Sequence, residues 1–343
     1  MDTISEKSQM KKIRDYEKGF MAIHLINLGD KLGIFNALGK NKDGLTTQAL
    51  ADKLGLHEPY LKVWCQSAFH FEILDGDDQG LFKLQPFFNE ILADKSHFKN
   101  YLANITVDAD LLGPGFLMAA DYFRNGRTIE MFSSAETSEA AYNTTKNIAL
   151  AFIFMIFPKY YFLKQKLEKG IRFLDVGCGN GSFIIQLAQV FANSTFVGLG
   201  SDIHGIKFAL ITISEMNIKE RVSFEHMAAE NLKFENEFDM VSMVVTLHEI
   251  QPAVRKEVLN RIHNALKDDG HLLILDFPYP GKLEDFRNPL YNYGILDQFY
   301  EICAGTEHLD NNTQDEILAD TGFKNIKRTP IGSGMFDFIL AEK

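Results

Sequence analysis

The apolar positions divide the chain into two halves with different periods. From residue 171 onward short apolar runs alternate regularly with stretches of helical spacing, the pattern of a parallel sheet covered by helices on both faces. The predicted strands are 172–176, 195–199, 222–226, 240–245 and 271–277, with a last pair at 324–329 and 336–341. Helices are predicted over 182–191, where Phe183, Ile184, Leu187, Ala188 and Phe191 share one face, and over 203–213. The first half reads differently. Apolar faces at 16–28 and 32–38 predict two helices, and residues 45–65 predict a short helix, a turn at Gly55 and a second helix entered through Pro59, which suits a first helical turn. Residues 71–84 then hold two short apolar strands around an Asp/Gly turn. Between the halves, 95–165 reads as helices with a loop at Leu112-Gly-Pro-Gly115 and acidic residues at Asp108 and Asp110. The expected division is 1–94, a helical linker at 95–165, and 166–343.

One junction carries chemistry. In Phe173-Leu-Asp-Val-Gly-Cys-Gly-Asn-Gly181 a buried strand runs into three alternate glycines and then a helix. Gly177, Gly179 and Gly181 let the backbone approach a ligand and offer amides near a helix N-terminus. Alternate glycines alone would only connect a strand to a helix, and it is the strand, turn and helix in order that gives the motif weight. The spacing departs from the G-x-G-x-x-G of dinucleotide sites, and an acid, Asp175, precedes the first glycine.

Composition narrows the classes. A chain of 343 residues, 46% hydrophobic, is long enough for two domains and a sizeable core. Its net charge of -11 argues against tight binding to nucleic acid or anionic membrane. Cys65, Cys178 and Cys303 have neither metal nor redox spacing and suit a reducing cytoplasm. The polar N-terminus has no signal-peptide pattern, and the most apolar run, 148–157, is too short to span a bilayer, which needs about 20 residues. Phenylalanine is frequent, at 29 residues, and the concentration at Phe152, Phe154, Phe157, Tyr160, Tyr161 and Phe162 is either core or the wall of a substrate pocket.

The Asp175-x-Gly177-x-Gly179-x-Gly181 pattern resembles motif I of the class I S-adenosylmethionine (SAM) dependent methyltransferases. The resemblance implies an α/β, Rossmann-like seven-stranded sheet ended by an antiparallel hairpin, preceded by an all-α/winged-helix domain. It implies SAM as cofactor, with Asp175 near its ammonium group and Gly177, Cys178, Gly179, Asn180 and Gly181 flooring the pocket. Gly200, Ser201, Asp202, Ala228, Ala229 and Val244 would line the rest. Two family acids are missing: Gly200 stands where a carboxylate grips the ribose, and Ala228 where an acid meets the adenine amino group. Asp202 either reaches the ribose or caps the helix that follows it. The helix-turn-helix and hairpin at 45–84 resemble the winged helix of small-molecule methyltransferases, which mediates homodimerisation. A DNA-binding reading is opposed by Glu72, Asp75, Asp77 and Asp78 on the hairpin.

Methyl transfer to a hydroxyl needs alignment and removal of a proton. His248, in Val245-Thr-Leu-His-Glu-Ile at the end of a predicted strand, is the candidate base, with Glu249 near enough to orient its ring; the alternative is a structural or cofactor-shielding histidine. His308, Tyr291 and Tyr293 are candidates for the substrate side. No set of ligands has metal-binding spacing along the sequence, so no metal site is expected. The reading is a cytoplasmic, homodimeric SAM-dependent methyltransferase of a small apolar or aromatic molecule, at oxygen before nitrogen or carbon. A SAM-fold binding module without turnover is the alternative from another class.

Overall fold

A computed structural model describes residues 4–78, 80–126, 128 and 134–343. It divides into two compact units, Met1–Leu117 and Met118–Lys343, so the boundary falls inside the segment expected as a linker.

The first unit opens with α1 (Glu6–Lys31), capped by a reciprocal pair of hydrogen bonds between Ser5 and Ser8. The sequence pattern predicts only 16–28, because polar residues dominate the first turns and leave Met10 and Ile13 as isolated apolar positions; a good cap and the absence of proline carry the helix through them. Gly33, at φ 73°, turns the chain into α2 (Ile34–Gly39). Then follow β1 (Leu45–Thr46), α3 (Thr47–Leu54), α4 (Glu58–His70), β2 (Leu74–Gly76) and β3 (Leu81–Leu84). The helix pair and hairpin expected at 45–84 are therefore present, and β1 adds a third antiparallel strand in the order β1-β3-β2. Ile34, Phe35, Leu38, Leu50, Leu61, Trp64 and Leu74 form the core, and the Trp64 indole donates to the Leu25 carbonyl at 3.0 Å. The expected loop at 112–115 is helical instead: α5 (Leu102–Thr106) and a π-helical turn, Val107–Leu112, lead without a break into α6 (Gly113–Asn125), so that Pro114 directly follows the widened turn. Asp110 is structural, accepting from Asn27 and Lys31.

In the second unit α7 (Ala135–Thr145), α8 (Ile148–Ala151), α9 (Phe157–Lys159) and α10 (Tyr161–Lys169) precede an alternating α/β array. Its members are β4 (Arg172–Val176), α11 (Ser182–Val190), β5 (Thr195–Gly200), α12 (Ile203–Glu215), β6 (Val222–His226), β7 (Phe238–Val244), α13 (Pro252–Ala265), β8 (Leu266–Asp276), α14 (Asn292–Ala304), α15 (Asn311–Asp320), β9 (Lys324–Ile331) and β10 (Phe336–Glu342). Seven strands pair in the order β6-β5-β4-β7-β8-β10-β9, parallel except for β10, which is antiparallel to both β8 and β9. All seven predicted strands exist. β8 begins earlier than expected because its first residues, Leu-Lys-Asp-Asp-Gly, are polar and only Leu266 pairs, with Phe238.

Strand alternation separates two cores. Phe173 packs with Phe152, Phe183, Phe196 and Phe338 on one face, while its neighbours Leu174 and Val176 pack with Val241, Leu259, Ile262 and Leu272 on the other. The aromatic run divides accordingly: Phe152 and Phe157 are buried in the first core, whereas Phe154, Tyr161 and Phe162 are exposed, and none of them lines either of the two cavities described for the chain. Burying each such phenylalanine is worth about 1.5–3 kcal/mol. Among the described residues no single helix is long and apolar enough to cross a membrane.

Candidate active site

The sheet creates its own crevice. From β4 the chain adds β5 and β6 to one side and then β7 to the other, so the strand order reverses at β4/β7, the place where open parallel sheets bind ligands at their carboxyl ends. The loop after β4 lies there. Gly177, at φ 76°, has no room for a side chain: a Cβ would stand 2.3 Å from Cγ2 of Thr246, in the loop after β7. At Gly181, φ 75°, a Cβ would stand 2.2 Å from the Phe224 ring. The Gly177 and Cys178 amides both donate to the Leu199 carbonyl, at 2.9 and 3.0 Å, which ties the loop to the end of β5. Those two donors are thus spent inside the protein. Asn180 Oδ1 accepts from the Ser182 amide at 3.3 Å, in the first turn of α11. Burial, followed by the Asp175 charge, pushes the Cys178 thiol well above its ordinary value, which makes it packing and not a nucleophile.

Asp175 is buried and accepts from the Ser242 hydroxyl at 2.6 Å. Burial lifts its carboxyl to about 7, and the Ser242 hydrogen bond offsets only part of this. A buried carboxyl raised in this way, at the mouth of a glycine loop, fits a cationic ligand group such as an ammonium.

Gly200 ends β5 with ordinary space beside it, since a Cβ would lie 3.5 Å from the Cys178 amide. Nothing in the packing forbids an acid there; the sequence lacks one. Ser201 follows, its carbonyl 3.0 Å from His226 Nε2. Asp202 is the N-cap of α12, accepting from the His204 and Gly205 amides at 2.9 and 3.0 Å, and its second oxygen accepts from Ser138 of α7 at 2.5 Å. Of the two roles open to Asp202, the cap is the one the structure displays. Ala228 and Ala229 stand after β6, at the entry to a short 3-10 turn, and Val244 closes β7.

The opposite wall begins with strain. Val245, β-branched, has φ 53°, a costly conformation held by a 2.7 Å bond from its amide to the Leu275 carbonyl. It turns the chain so that His248 comes beside the end of β8. There His248 Nδ1 lies 2.6 Å from Asp276 Oδ1, and the His248 amide donates to Asp276 Oδ2 at 3.3 Å. The ring's hydrogen-bonded carboxylate is therefore Asp276 and not Glu249, because the turn presents the β8 end to Nδ1. Burial alone would push the ring down; the Asp276 charge and hydrogen bond, with Glu249 and Asp297, outweigh it and hold His248 up to about 10. Asp276 is held below its ordinary value despite burial, by His248. Glu249 is raised to about 8 by burial and by the neighbouring acids Glu301, Asp297 and Asp276, against the pull of His248.

His308 stacks on His248, ring centroids 4.1 Å apart, with its Nε2 2.8 Å from Asp297 Oδ2; His248 Nε2 is 3.6 Å from the same oxygen. Arg255 donates to the carbonyls of both His248 and Glu307, fastening the two segments together. A cavity of about 380 Å³ opens here, lined by Tyr279, Ile295, Gln298, Phe299, Ile302, Glu307 and His308. His308 thus faces a cavity, while Tyr291 and Tyr293 are not among its lining residues. Sequence reasoning missed Asp276, Asp297, Ser138 and Ser242. Asp276 ends a predicted strand and was open to the same strand-end argument that picked His248; Asp297, on a helix with no motif, gave no signal.

Comparison with known proteins agrees with this geometry. Residues 167–315 match the family described as a methyltransferase domain. An uncharacterized methyltransferase of Synechocystis is 31% identical over 176 residues, 51% of this chain and 77% of that protein. The ubiquinone/menaquinone biosynthesis C-methyltransferase UbiE of Geotalea uraniireducens is 26% identical, over 55% of this chain and 93% of its own. Two solved structures extend the likeness of fold to the whole chain: PigF with SAH (TM-score 0.79, 16% identity, 99% of this chain and 100% of that one) and human N-acetylserotonin methyltransferase in complex with SAM (TM-score 0.75, 15% identity, 100% and 99%). The chain belongs to the SAM-dependent methyltransferases and carries their class I fold. It is an enzyme whose methyl donor is SAM.

Proposed function

We propose that the chain methylates a small apolar or aromatic acceptor at oxygen, with the proton of the acceptor taken by His248 in its neutral form, so that turnover rises with pH toward the value of about 10 to which Asp276 and its neighbours lift the ring. The observation that carries this reading is the buried His248–Asp276 pair at the crevice, next to a cavity with aromatic walls. SAM supplies an electrophilic methyl group when bound, so the protein has only to align the acceptor and dispose of a proton. Asp276 holds Nδ1, so Nε2, 3.6 Å from Asp297 Oδ2, would be the atom that meets the acceptor. Asp175 would hold the ammonium of the donor, the 177–181 loop its methionine end, and Gly200, Ser201, Ala228, Ala229 and Val244 its adenosine, without the ribose carboxylate.

The test is turnover: SAM with a panel of phenols, enols and hydroxylated heteroaromatics, and mass spectrometry to locate the added methyl. Oxygen-methylated product lost in His248→Ala supports the reading; product methylated at carbon replaces it with the second reading, which is favoured by the relatives named C-methyltransferases. SAM binding with no product from any acceptor supports a binding module.

The first unit would act as a winged helix that pairs two copies. In support, α1 leaves Met10, Ile13, Tyr16, Phe20, Met21 and Leu28 exposed, an apolar face that a second copy would cover. Sedimentation should give a dimer, and Phe20→Asp should shift it to monomer.

A further inference from the structure

His248 follows β7, Asp297 lies on α14 and His308 in the segment after it, and donor atoms of the three side chains all lie within 4.8 Å of one another. We propose that these three side chains form a binding site for a divalent transition-metal ion of the zinc type, through Nε2 of each histidine and a carboxylate oxygen of Asp297. The donor set is two imidazoles and one carboxylate, which suits zinc and its neighbours and not magnesium or calcium. The groups that orient two of these ligands are already in place. His248 is hydrogen-bonded through its other nitrogen to a buried carboxylate, Asp276, the arrangement that fixes ring orientation in metal-ligating histidines. The backbone amide of His308 donates to Gln298 Oε1 at 2.5 Å, which anchors that ligand from behind.

The distances leave room for an ion after a small adjustment. Asp297 Oδ2 stands 2.8 Å from His308 Nε2 and 3.6 Å from His248 Nε2. Bonds of about 2.0–2.1 Å to a tetrahedral ion place ligand atoms about 3.3 Å apart. The rings are 21° from parallel, so seating the ion turns one of them about its Cβ–Cγ bond. His308 is the ring to move, because His248 is pinned at Nδ1. An entry path exists: His308 lines the cavity of about 380 Å³, and the Asp297 side chain is about a third exposed, at 35%. Three protein ligands leave a position open toward that cavity. A bound ion occupies the His248 Nε2 lone pair that the proposed proton transfer needs, so the ion and the base role exclude each other and metal binding would inhibit turnover; the site itself does not rest on the proposed methyl transfer.

The experiment is titration of chelator-treated, full-length protein with Co²⁺, followed by its visible d–d absorption, with Zn²⁺ as competitor. The expected result is one ion per chain at micromolar concentration, displaced by Zn²⁺. Asp297→Asn and His308→Ala should each weaken binding by about 100-fold or more, and Asp276→Asn by about 10–100-fold, as loss of an outer partner does. Asp297 is partly exposed, so its variant is not expected to disturb folding, and circular dichroism checks both. His57→Ala, at an exposed position, serves as control. No saturable binding at millimolar Co²⁺, or a loss below about tenfold in either ligand variant, overturns the site. Turnover is measured separately on the chelator-treated, metal-free protein: methyl transfer there with no Co²⁺ binding in the titration removes only the metal site, and Co²⁺ binding with no methyl transfer by the metal-free protein removes only the functional reading.

Discussion

The two walls of the crevice handle buried charge in opposite ways. On the donor side a single carboxyl, Asp175, is buried with a hydroxyl for company and rises to about 7, because nothing but a hydrogen bond compensates its desolvation. On the acceptor side carboxylates and imidazoles are buried together, and pairing overrides burial: Asp276 stays low and His248 climbs to about 10. Burial alone sets neither value. What differs is whether the countercharge belongs to the protein, as at His248, or arrives with a ligand, as the fit of an ammonium to Asp175 implies. If the proposed assignment of the two walls holds, the acceptor wall is organised in advance and the donor wall is completed on binding.

The sharpest way to break this comparison is to remove the paired ring. His248→Ala should lower turnover by about 100-fold or more while SAM affinity, measured calorimetrically, stays within about twofold. A parallel loss of SAM affinity would mean that the walls are not separate. Asp276→Asn keeps the ring and removes its charge partner. A hydrogen bond to a charged group contributes about 1.5–3 kcal/mol, so kcat should fall about 10–100-fold, with KM for SAM little changed.

The same contrast explains what could be read from sequence. The donor wall is largely one contiguous loop, and backbone geometry dictates its residues: glycine at 177 and 181 is imposed by positive φ and by Thr246 and Phe224 pressing on it. Such constraints are local and leave a local motif. The acceptor wall is assembled from the ends of β7 and β8, from α14 and from the segment after it, so His248 was visible at a strand end while Asp297 and the stacking of His308 were not. Regular strands were legible because, covered on both faces, most of them read as short continuous apolar runs; the polar first turns of α1 and the helical path through Pro114 were not, since caps and packing decide those. Tertiary pairing is also why the carboxylate on the His248 ring is Asp276, 28 residues away, and not the adjacent Glu249.

The donor wall should announce its uncompensated carboxyl through pH. Asp175 has its folded pKa raised, so its contribution to stability is present below its ordinary value of 3.8 and lost as pH rises through about 7. A bound ammonium reverses the preference by favouring the carboxylate. If the bound carboxyl titrates far lower, SAM affinity should fall about eightfold between pH 7.5 and pH 6, with proton release on binding in the acidic range. Asp175→Asn should flatten that profile and bind weakly throughout. Calorimetry in buffers of different ionisation enthalpy measures both quantities, and an affinity independent of pH would place the ammonium away from Asp175.

The smallest effect belongs to Asp202, where the two walls' logic meets helix capping. Its carboxylate already accepts two α12 amides and the Ser138 hydroxyl, so little of its acceptor capacity is left for a ribose. If the cap is its whole role, Asp202→Ala should cost about 1 kcal/mol of stability, a fall in Tm of about 2–4 °C, and Asp202→Asn, which can still cap, should cost less. SAM affinity should then move by less than about threefold, well short of the 1.5–3 kcal/mol that a charge-assisted ribose contact would contribute. A loss of affinity of tenfold or more in both variants, with Tm unchanged, would mean that the carboxylate trades its cap for the ribose when the donor binds, and that this wall too is rebuilt around the ligand.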